Sequence, residues 1–304
     1  MTRQQIPDDI RDSIIRTFGT CGDVTPMAGG KSGALLFVTQ HDGQAYVVRK
    51  IGERGRAKAD RELACMKIAA DAGIGARVVF GEGGIVIMDK LPGAPITRGT
   101  SREGDPLGRL AATLRTLHAA PRFPDGPQLG QMFAALASNL PLPEVLPRAV
   151  AAAEHDLAAD PVLVPCHRDL NPTNILATPE RIHLIDWEQA GNSDPLFDLA
   201  QLGIWVCRDD SERAHLLASY LGRAPIPAEQ RRAVLNRILA LAFYGAAFCV
   251  VSAVQGKPPA AGTATLEDIF ATMAATGQPF EPDHMAGAMV RQLEREARAQ
   301  GLLS

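Results

Sequence analysis

The chain has 304 residues, 46% of them hydrophobic, and a formal net charge of −3. This length allows one large domain or two lobes with a full core, and the absence of a basic excess argues against nucleic acid as a partner. The five cysteines are widely spaced without a CxxC pair, which predicts reduced thiols in a cytoplasmic protein rather than a disulfide framework or a zinc site.

Residues 1–91 are predicted to form a small, β-rich lobe. Runs rich in β-branched residues and separated by short turns indicate two hairpins with a helix between them. The Asp42-Gly43 pair favours the tight turn of the first hairpin, and Gly73 marks the expected end of the helix. In chain order, the predicted elements are strands over 34–40 and 45–51, a helix over 57–73, and strands over 77–80 and 85–91.

Residues 92–304 are predicted to form a larger, mostly helical lobe, so the expected fold class is α+β with two lobes. Pro92-Gly93 and Ala94-Pro95 interrupt the strand pattern and mark the linker between the lobes. The uncharged run 238–254 approaches the length of a membrane span, but we expect a buried core helix there and no membrane span. Helices are predicted over 105–119, 143–158, 195–206, 211–221, 228–255, 264–275 and 284–300.

The densest cluster of polar side chains lies in 167-HRDLNPTN-174. The apolar runs 175–177 and 182–185 follow it, and the turn residues between these runs predict an antiparallel hairpin. Because Asn174 enters the first strand and Asp186 leaves the second, both side chains are expected at the same open end of the hairpin.

Asp169 lies on the loop just before this hairpin, so one amide oxygen and two carboxylates are predicted to converge. Hard oxygen ligands without His or Cys suit Mg²⁺, which proteins hold through one or two carboxylates together with substrate phosphates. A further carboxylate that binds no metal can accept the proton of an attacking hydroxyl. These are the components that phosphoryl transfer requires.

The motif HRDLNPTN with the later IDWE resembles the motifs of kinase-like phosphotransferases. The run 185-IDWEQAGNSDPLFDLA-200 is especially similar to bacterial choline kinase-like proteins of the choline/ethanolamine kinase and aminoglycoside phosphotransferase superfamily. The resemblance implies a bilobal protein kinase-like fold, with ATP as phosphate donor and Mg²⁺ as cofactor. It also implies that Asp169 is the catalytic base, that Asn174 and Asp186 hold Mg²⁺, and that His167 braces the loop.

Two further acids in this run are interpreted as structural. Asp194 precedes Pro195 and is predicted to cap the helix that follows. Asp198 lies in a DLA stretch like that of the family and is expected to brace the catalytic loop from below.

The resemblance extends into the N-terminal lobe. The segment 29-GGKSG-33 matches the glycine-rich turn that covers the phosphates, and 85-IVIMDKLPG-93 resembles the strand and hinge that receive adenine. Residues thereby assigned to the cofactor are Gly29, Gly30, Ser32, Met88 and Asp89.

Arg49 matches the strand residue that contacts the phosphates, a position where choline kinase-like proteins resemble this chain in having Arg. Its neighbour Lys50 faces the opposite side of the strand, so one of the two can act and Arg49 is the prediction. By analogy with the Lys–Glu pair of protein kinases, the expected helix partner of Arg49 is Glu62.

The expected acceptor is a small molecule rather than a protein, because a helical pattern follows Asp186 in place of a long activation segment ending in Ala-Pro-Glu. Aromatic rings and carboxylates recognise choline-type cations. The stretch 243–255 lacks the paired tryptophans common in bacterial choline kinase-like proteins, so ethanolamine or another amino alcohol stays open beside choline. The candidate acceptor-site residues are Glu188, Trp205, Tyr244 and Phe248.

Two other functions stay open. One is phosphorylation of an aminoglycoside or another small metabolite, which uses the same ATP, Mg²⁺ and mechanism and differs only in the acceptor. The other is a non-catalytic, pseudokinase-like module that binds nucleotide. The filled catalytic positions favour catalysis, and ADP release distinguishes turnover from binding alone.

Overall fold

The computed structural model describes residues 6–27, 34–50, 56–138 and 140–303. The elements of its N-terminal part are α1 (Asp8–Phe18), β1 (Val24–Pro26), β2 (Leu35–His41), β3 (Gln44–Lys50), α2 (Arg56–Asp71), β4 (Val78–Glu82) and β5 (Ile85–Asp89). The strands form one antiparallel sheet in the order β1-β2-β3-β5-β4. Four of these strands and α2 confirm the predicted elements, whereas α1 and β1 were not predicted.

The first hairpin has the tight turn that the sequence indicates. Asp42 and Gly43 have φ angles of 50° and 76°, a left-handed pair that Asp and Gly tolerate. The turn pairs His41 with Gln44 and sets the β2–β3 register. This register places Arg49 near the end of β3, a strand that is paired on both sides.

Helix α1 covers one face of the sheet. Ile10 and Ile14 are buried in an apolar cluster that this helix shares with strand residues Phe37, Tyr46, Val48, Ile85 and Ile87. Asp9 Oδ2 accepts a hydrogen bond of 2.5 Å from Lys50 Nζ, so Lys50 faces α1. Lys50 and Arg49 therefore lie on opposite faces of β3, as predicted.

The remaining elements are mostly helical. They are β6 (Ala94–Pro95), α3 (Pro106–His118), α4 (Leu129–Ala137), α5 (Val145–Leu157), β7 (Val164–Cys166), β8 (Ile175–Ala177), β9 (Ile182–Leu184), β10 (Gly191–Ser193), α6 (Pro195–Trp205), α7 (Asp210–Leu221), α8 (Pro227–Val254), α9 (Leu266–Thr276) and α10 (Pro282–Ala299). All seven predicted helices are present with ends that differ by at most two residues, and the short helix α4 is an addition. The fold class is α+β, as predicted.

The predicted interlobe linker is bound to the hairpin of the candidate site. Strand β6 pairs with β8, so the linker adds a third strand to the β8–β9 hairpin. Gly93 has φ 119°, and a Cβ there would lie 2.9 Å from the Ala177 carbonyl oxygen, so this approach requires glycine. The proposed division into domains 1–91 and 92–304 stays a prediction.

Helix α8 is the central helix of the large apolar core, which also includes residues of α3, α5, α6 and α10. Within the described residues, α8 alone has the length and composition of a membrane-spanning helix, and 56% of its most apolar window is buried inside the protein. Burial of this kind supports the interpretation of α8 as a core helix. That the protein has no membrane span stays a prediction.

Two adjacent isoleucines of α1 test the packing of this helix. Ile14 is 0% exposed and Ile15 is 41% exposed. We expect Ile14→Ala to lower the free energy of unfolding by about 2–5 kcal/mol, because it leaves a cavity under α1. The matched change Ile15→Ala should cost about 0.5 kcal/mol. Urea denaturation of both variants measures this difference, and equal losses would show that α1 does not pack as described.

Candidate active site

The catalytic loop predicted from HRDLNPTN follows β7 and is held from below by α6. Asp198 accepts hydrogen bonds of 2.8 Å from the backbone N–H groups of His167 (to Oδ2) and Arg168 (to Oδ1). Gln201 accepts from the Leu170 N–H at 2.9 Å and donates to the Arg168 carbonyl at 2.8 Å. The predicted bracing role of Asp198 is confirmed, and Gln201 is an equal partner that was not predicted.

Behind the loop, a buried cluster extends this bracing. His118 Nε2 lies 3.2 Å from Asp198 Oδ2, and its Nδ1 lies 2.8 Å from the Tyr220 hydroxyl. Cys166 donates its thiol hydrogen to the Ser193 carbonyl at 3.4 Å. His118, Cys166 and Asp198 are ligand types of a metal site and lie within 4.8 Å of one another. All three groups are already hydrogen-bonded, so the arrangement is better explained as a structural network.

Arg168 is a buried brace of the same loop and has a strained backbone, with φ 64°. Its guanidinium donates to the carbonyls of Pro127, Gln189 and Ala190 at 3.0, 2.9 and 3.1 Å. Gly191 leaves the space that this side chain needs, because a Cβ there would lie 1.8 Å from Arg168 Nη2. Burial lowers the pKa of Arg168 to about 10.

Asp169, the predicted base, is held in place by three side-chain donors. Asn174 Nδ2 donates to the Asp169 carbonyl at 2.9 Å and to its Oδ2 at 3.0 Å. Asn171 Nδ2 and the Tyr244 hydroxyl donate to Oδ1 at 3.2 and 3.4 Å. Burial raises the pKa of Asp169 above its ordinary value. The carboxylate therefore has a defined orientation in a weakly solvated place.

The predicted hairpin brings Asn174 and Asp186 to the same end. Strands β8 and β9 pair Ile175 with Leu184, and the Ile185 N–H donates to the Asn174 carbonyl at 3.0 Å. Asp186 follows directly, in a left-handed conformation with φ 66°. His167 Nε2 lies 2.9 Å from the Ile185 carbonyl, so His167 does tie the catalytic loop to this hairpin.

Arg49 connects the sheet to this end of the hairpin. Its Nη1 is hydrogen-bonded to Glu62 of α2, and its Nη2 donates to Asp186 Oδ1 at 3.1 Å. The Glu188 carboxylate lies 3.9 Å from the same nitrogen. Arg49 is 7% exposed and Glu62 is 1% exposed, so the pair is buried. Burial raises the pKa of Glu62, and the positive charge of Arg49 opposes that shift.

Met88 and Asp89 end strand β5 at the predicted hinge. The Asp89 carboxylate accepts hydrogen bonds from Arg77 and Gln44, and the Asp89 N–H donates to the Arg77 carbonyl at 3.0 Å. These bonds engage the Asp89 side chain, and the predicted contact of the hinge backbone with adenine stays a prediction. In the described part of the hinge, the N–H of Lys90 donates to the Ala45 carbonyl at 3.0 Å, whereas the N–H groups of Leu91 and Gly93 bond to no carbonyl. Gly29, Gly30 and Ser32 lie outside the described residues.

The predicted acceptor residues Trp205, Tyr244 and Phe248 belong to one aromatic cluster. Trp205 is its centre, with ring centroids 5.2 Å from Tyr244 and 6.2 Å from Phe248. Phe270 and Phe280, which were not predicted, lie 5.8 and 6.3 Å from Trp205. Through the Tyr244 hydroxyl, the cluster touches the Asp169 carboxylate.

A model of the phosphotransferase enzyme family, APH, matches residues 23–235. Solved structures with the same fold include a choline/ethanolamine kinase family protein from Mesorhizobium loti. Its sequence is 24% identical, and its structure aligns with a TM-score of 0.65 over 94% of this chain and 99% of that chain. The choline kinase LicA from Streptococcus pneumoniae is 19% identical with a TM-score of 0.67, over 96% of this chain and 98% of its own, and has also been solved with AMP. These similarities confirm the bilobal kinase-like fold.

Curated relatives match over shorter stretches. LicA from Haemophilus influenzae is 47% identical over 47 residues, which cover 16% of this chain and 14% of that protein. Thiamine kinase from Salmonella heidelberg is 34% identical over 125 residues, 40% of this chain and 44% of that protein. This chain thus spans less than half the length of these relatives. Because the family model covers well over half of the sequence, the chain belongs to the phosphotransferase enzyme family.

Proposed function

We propose that this phosphotransferase is an ATP- and Mg²⁺-dependent kinase that phosphorylates the hydroxyl of a small cationic alcohol, of the choline, ethanolamine or related amino-alcohol class. The observation that carries the proposal is the convergence of Asp169, Asn174, Asp186 and Arg49. The partly buried, oriented carboxylate of Asp169 lies beside Asn174, and Asp186 at the same end of the hairpin is paired with Arg49. Phosphoryl transfer needs each of these parts.

The residues present fit Mg²⁺. The Asn174 amide nitrogen is engaged by Asp169, which leaves the Asn174 side-chain oxygen for a ligand role. Asp186 uses one carboxylate oxygen for Arg49, and its side chain stays 30% exposed. An all-oxygen donor set without His or Cys is the set that Mg²⁺ prefers. When bound, the ion neutralises phosphate charge; Asn174 and Asp186 are the residues that would hold it.

ATP is the proposed phosphate donor. The solved LicA complex with AMP has the same fold, which supports nucleotide binding here. The N–H groups of Leu91 and Gly93, which bond to no carbonyl of the described residues, lie in the hinge segment that is proposed to receive adenine. Arg49, held by Glu62, supplies a fixed positive charge for the phosphates. The role of the Gly29–Gly33 turn over the phosphates stays part of the proposal.

Asp169 is the proposed base. In the proposed step, the acceptor oxygen bonds to the γ-phosphorus, the bond from this phosphorus to the β,γ-bridging oxygen breaks, and ADP leaves. The proton of the acceptor hydroxyl passes to the Asp169 carboxylate. Asn171, Asn174 and Tyr244 fix the orientation of this carboxylate, so that it can receive the hydroxyl without further reorganisation.

Local charge and aromaticity favour a cationic acceptor. Asp169, Asp186 and Glu188 bring three carboxylates to the site, where Arg49 supplies the cation that pairs with two of them. Tyr244, whose ring packs against Trp205, contacts the Asp169 carboxylate through its hydroxyl. Aromatic faces and carboxylates together suit an ammonium or thiazolium group. The thiamine kinase match makes a thiamine-type cation the second candidate, while an aminoglycoside remains an acceptor for the same chemistry.

The direct test is ADP release with Mg·ATP across choline, ethanolamine, thiamine and kanamycin-type aminoglycosides. We expect one of the cationic alcohols to be turned over, and Asp169→Asn to reduce kcat by about 100- to 10,000-fold while nucleotide still raises the melting temperature. Asp125→Asn, a change at an exposed carboxylate, should leave kcat unchanged. Full activity of Asp169→Asn would refute its role as the base. Nucleotide binding without turnover of any acceptor would favour the non-catalytic module.

The aromatic cluster predicts a second, separate effect. Phe248→Leu keeps an apolar side chain but removes the ring, so the KM for the cationic acceptor should rise about 2- to 30-fold. The KM for ATP should not change. Phe133→Leu is the matched control, because Phe133 lies on α4 and lines a separate small cavity together with Leu129 and Phe197. Steady-state kinetics with the accepted alcohol measures both values; an equal acceptor KM in all three proteins would place the acceptor elsewhere.

A further inference from the structure

Arg61, the residue before Glu62 on α2, reaches into the loop that follows Asp186. Its Nη1 donates to the Ala190 carbonyl at 2.5 Å, and its Nη2 donates to the Glu188 carbonyl at 3.5 Å. The buried Arg168 binds the same segment, because its Nη2 donates to the same Ala190 carbonyl at 3.1 Å. An arginine of the N-terminal part thus shares a backbone acceptor with an arginine of the catalytic loop.

The path of Arg61 is shaped by Gly126. A Cβ on Gly126 would lie 2.8 Å from Arg61 Nη1, 3.0 Å from its Cζ and 3.1 Å from its Cδ. The guanidinium therefore lies between the chain at position 126 and the carbonyls of the loop. Two backbone segments that are distant in sequence create the space for this single side chain.

We propose that Arg61 is a positioning residue that holds helix α2 against the loop after Asp186, so that Glu62 and Arg49 keep their place beside Asp186. The inference rests on the proposed kinase function and extends it. Within this arrangement, consecutive side chains of α2 contact both sides of the site. Glu62 holds Arg49 from the sheet side, while Arg61 holds the loop from the opposite side.

The consequence for ATP follows from the connections of these residues. Arg49 donates to Asp186, and Arg61 donates to main-chain carbonyls of residues two and four positions further along the chain. Without Arg61, the contacts of Arg49 with Glu62 and Asp186 remain to connect α2 to this loop. Glu62 can then move away from Arg49, and both the phosphate-binding cation and Asp186 lose their fixed geometry. Among the described residues, Arg61 has no hydrogen bond to Asp169 or to the aromatic cluster, and it contacts Glu188 only through the main-chain carbonyl. Acceptor binding should therefore change much less than ATP binding.

Arg61→Leu should therefore lower kcat/KM for ATP by about 10- to 100-fold and change the KM of the acceptor by less than about 3-fold. Arg61→Lys keeps a donor on a long side chain and should recover part of the loss. Lys67→Leu, at an exposed cationic position of the same helix, is the control and should behave as wild type. A loss that affects ATP and acceptor alike, or no loss, would overturn the inference.

Gly126→Ala tests the same contact without changing Arg61. The added methyl group displaces the guanidinium, so the variant should reproduce the selective loss in ATP kinetics while its melting temperature stays close to that of the wild type. In the Arg61→Leu background, Gly126→Ala should have no further effect, because no guanidinium remains to displace. Additive effects would overturn the inference even if Arg61→Leu alone folds poorly. Absence of ATP turnover in the wild-type protein would refute the kinase proposal itself.

Discussion

The guanidinium of Arg49 is a buried cation whose position depends on carboxylates from different parts of the chain. Glu62 comes from a helix next to the sheet, and Asp186 comes from the end of a hairpin more than a hundred residues later. A buried charge is costly unless it is paired, so the sheet, α2 and the hairpin must meet at this point. The proposed phosphate site is a consequence of that requirement.

Helix α6 supplies the second constraint. Asp198 and Gln201, both fully buried, bind four backbone groups of the catalytic loop. These hydrogen bonds fix the loop that carries Asp169 to the packed core. Rigid support of this kind lets one carboxylate accept three oriented donors, which is the preorganisation that a base needs. The aromatic cluster around Trp205 contacts the Asp169 carboxylate through Tyr244 on α8.

Features with a local signal could be predicted from the sequence. The turn between 177 and 182, the Asp42-Gly43 pair and the apolar helical patterns depend on neighbours in the chain, and the structure reproduces them. The proximity of Asn174 and Asp186 could be predicted because the two residues lie at equal distances from the turn of one hairpin, which brings them to the same end. Asp194 likewise caps α6 by accepting from the Leu196 N–H at 2.9 Å.

The remaining features depend on contacts between distant segments. Gln201, Phe270 and Phe280 look like ordinary helix or loop residues until tertiary packing brings them to the loop or to Trp205. The ion pair of the Asp89 carboxylate with Arg77 likewise has no signal in the sequence. Helix α1 has a Pro7-Asp8-Asp9 start and Gly19 at its end, signals that could have identified it.

The measurement that tests the account most directly is the affinity for ATP with and without Mg²⁺, in the wild type and in Asp186→Asn, by calorimetric titration. Asn keeps the shape of the side chain but removes the charge that would hold the ion. The account predicts that Mg²⁺ strengthens ATP binding by the wild type and has little effect on the variant. Equal strengthening in both proteins would contradict the assignment of Asp186 and, with it, the proposed phosphate site.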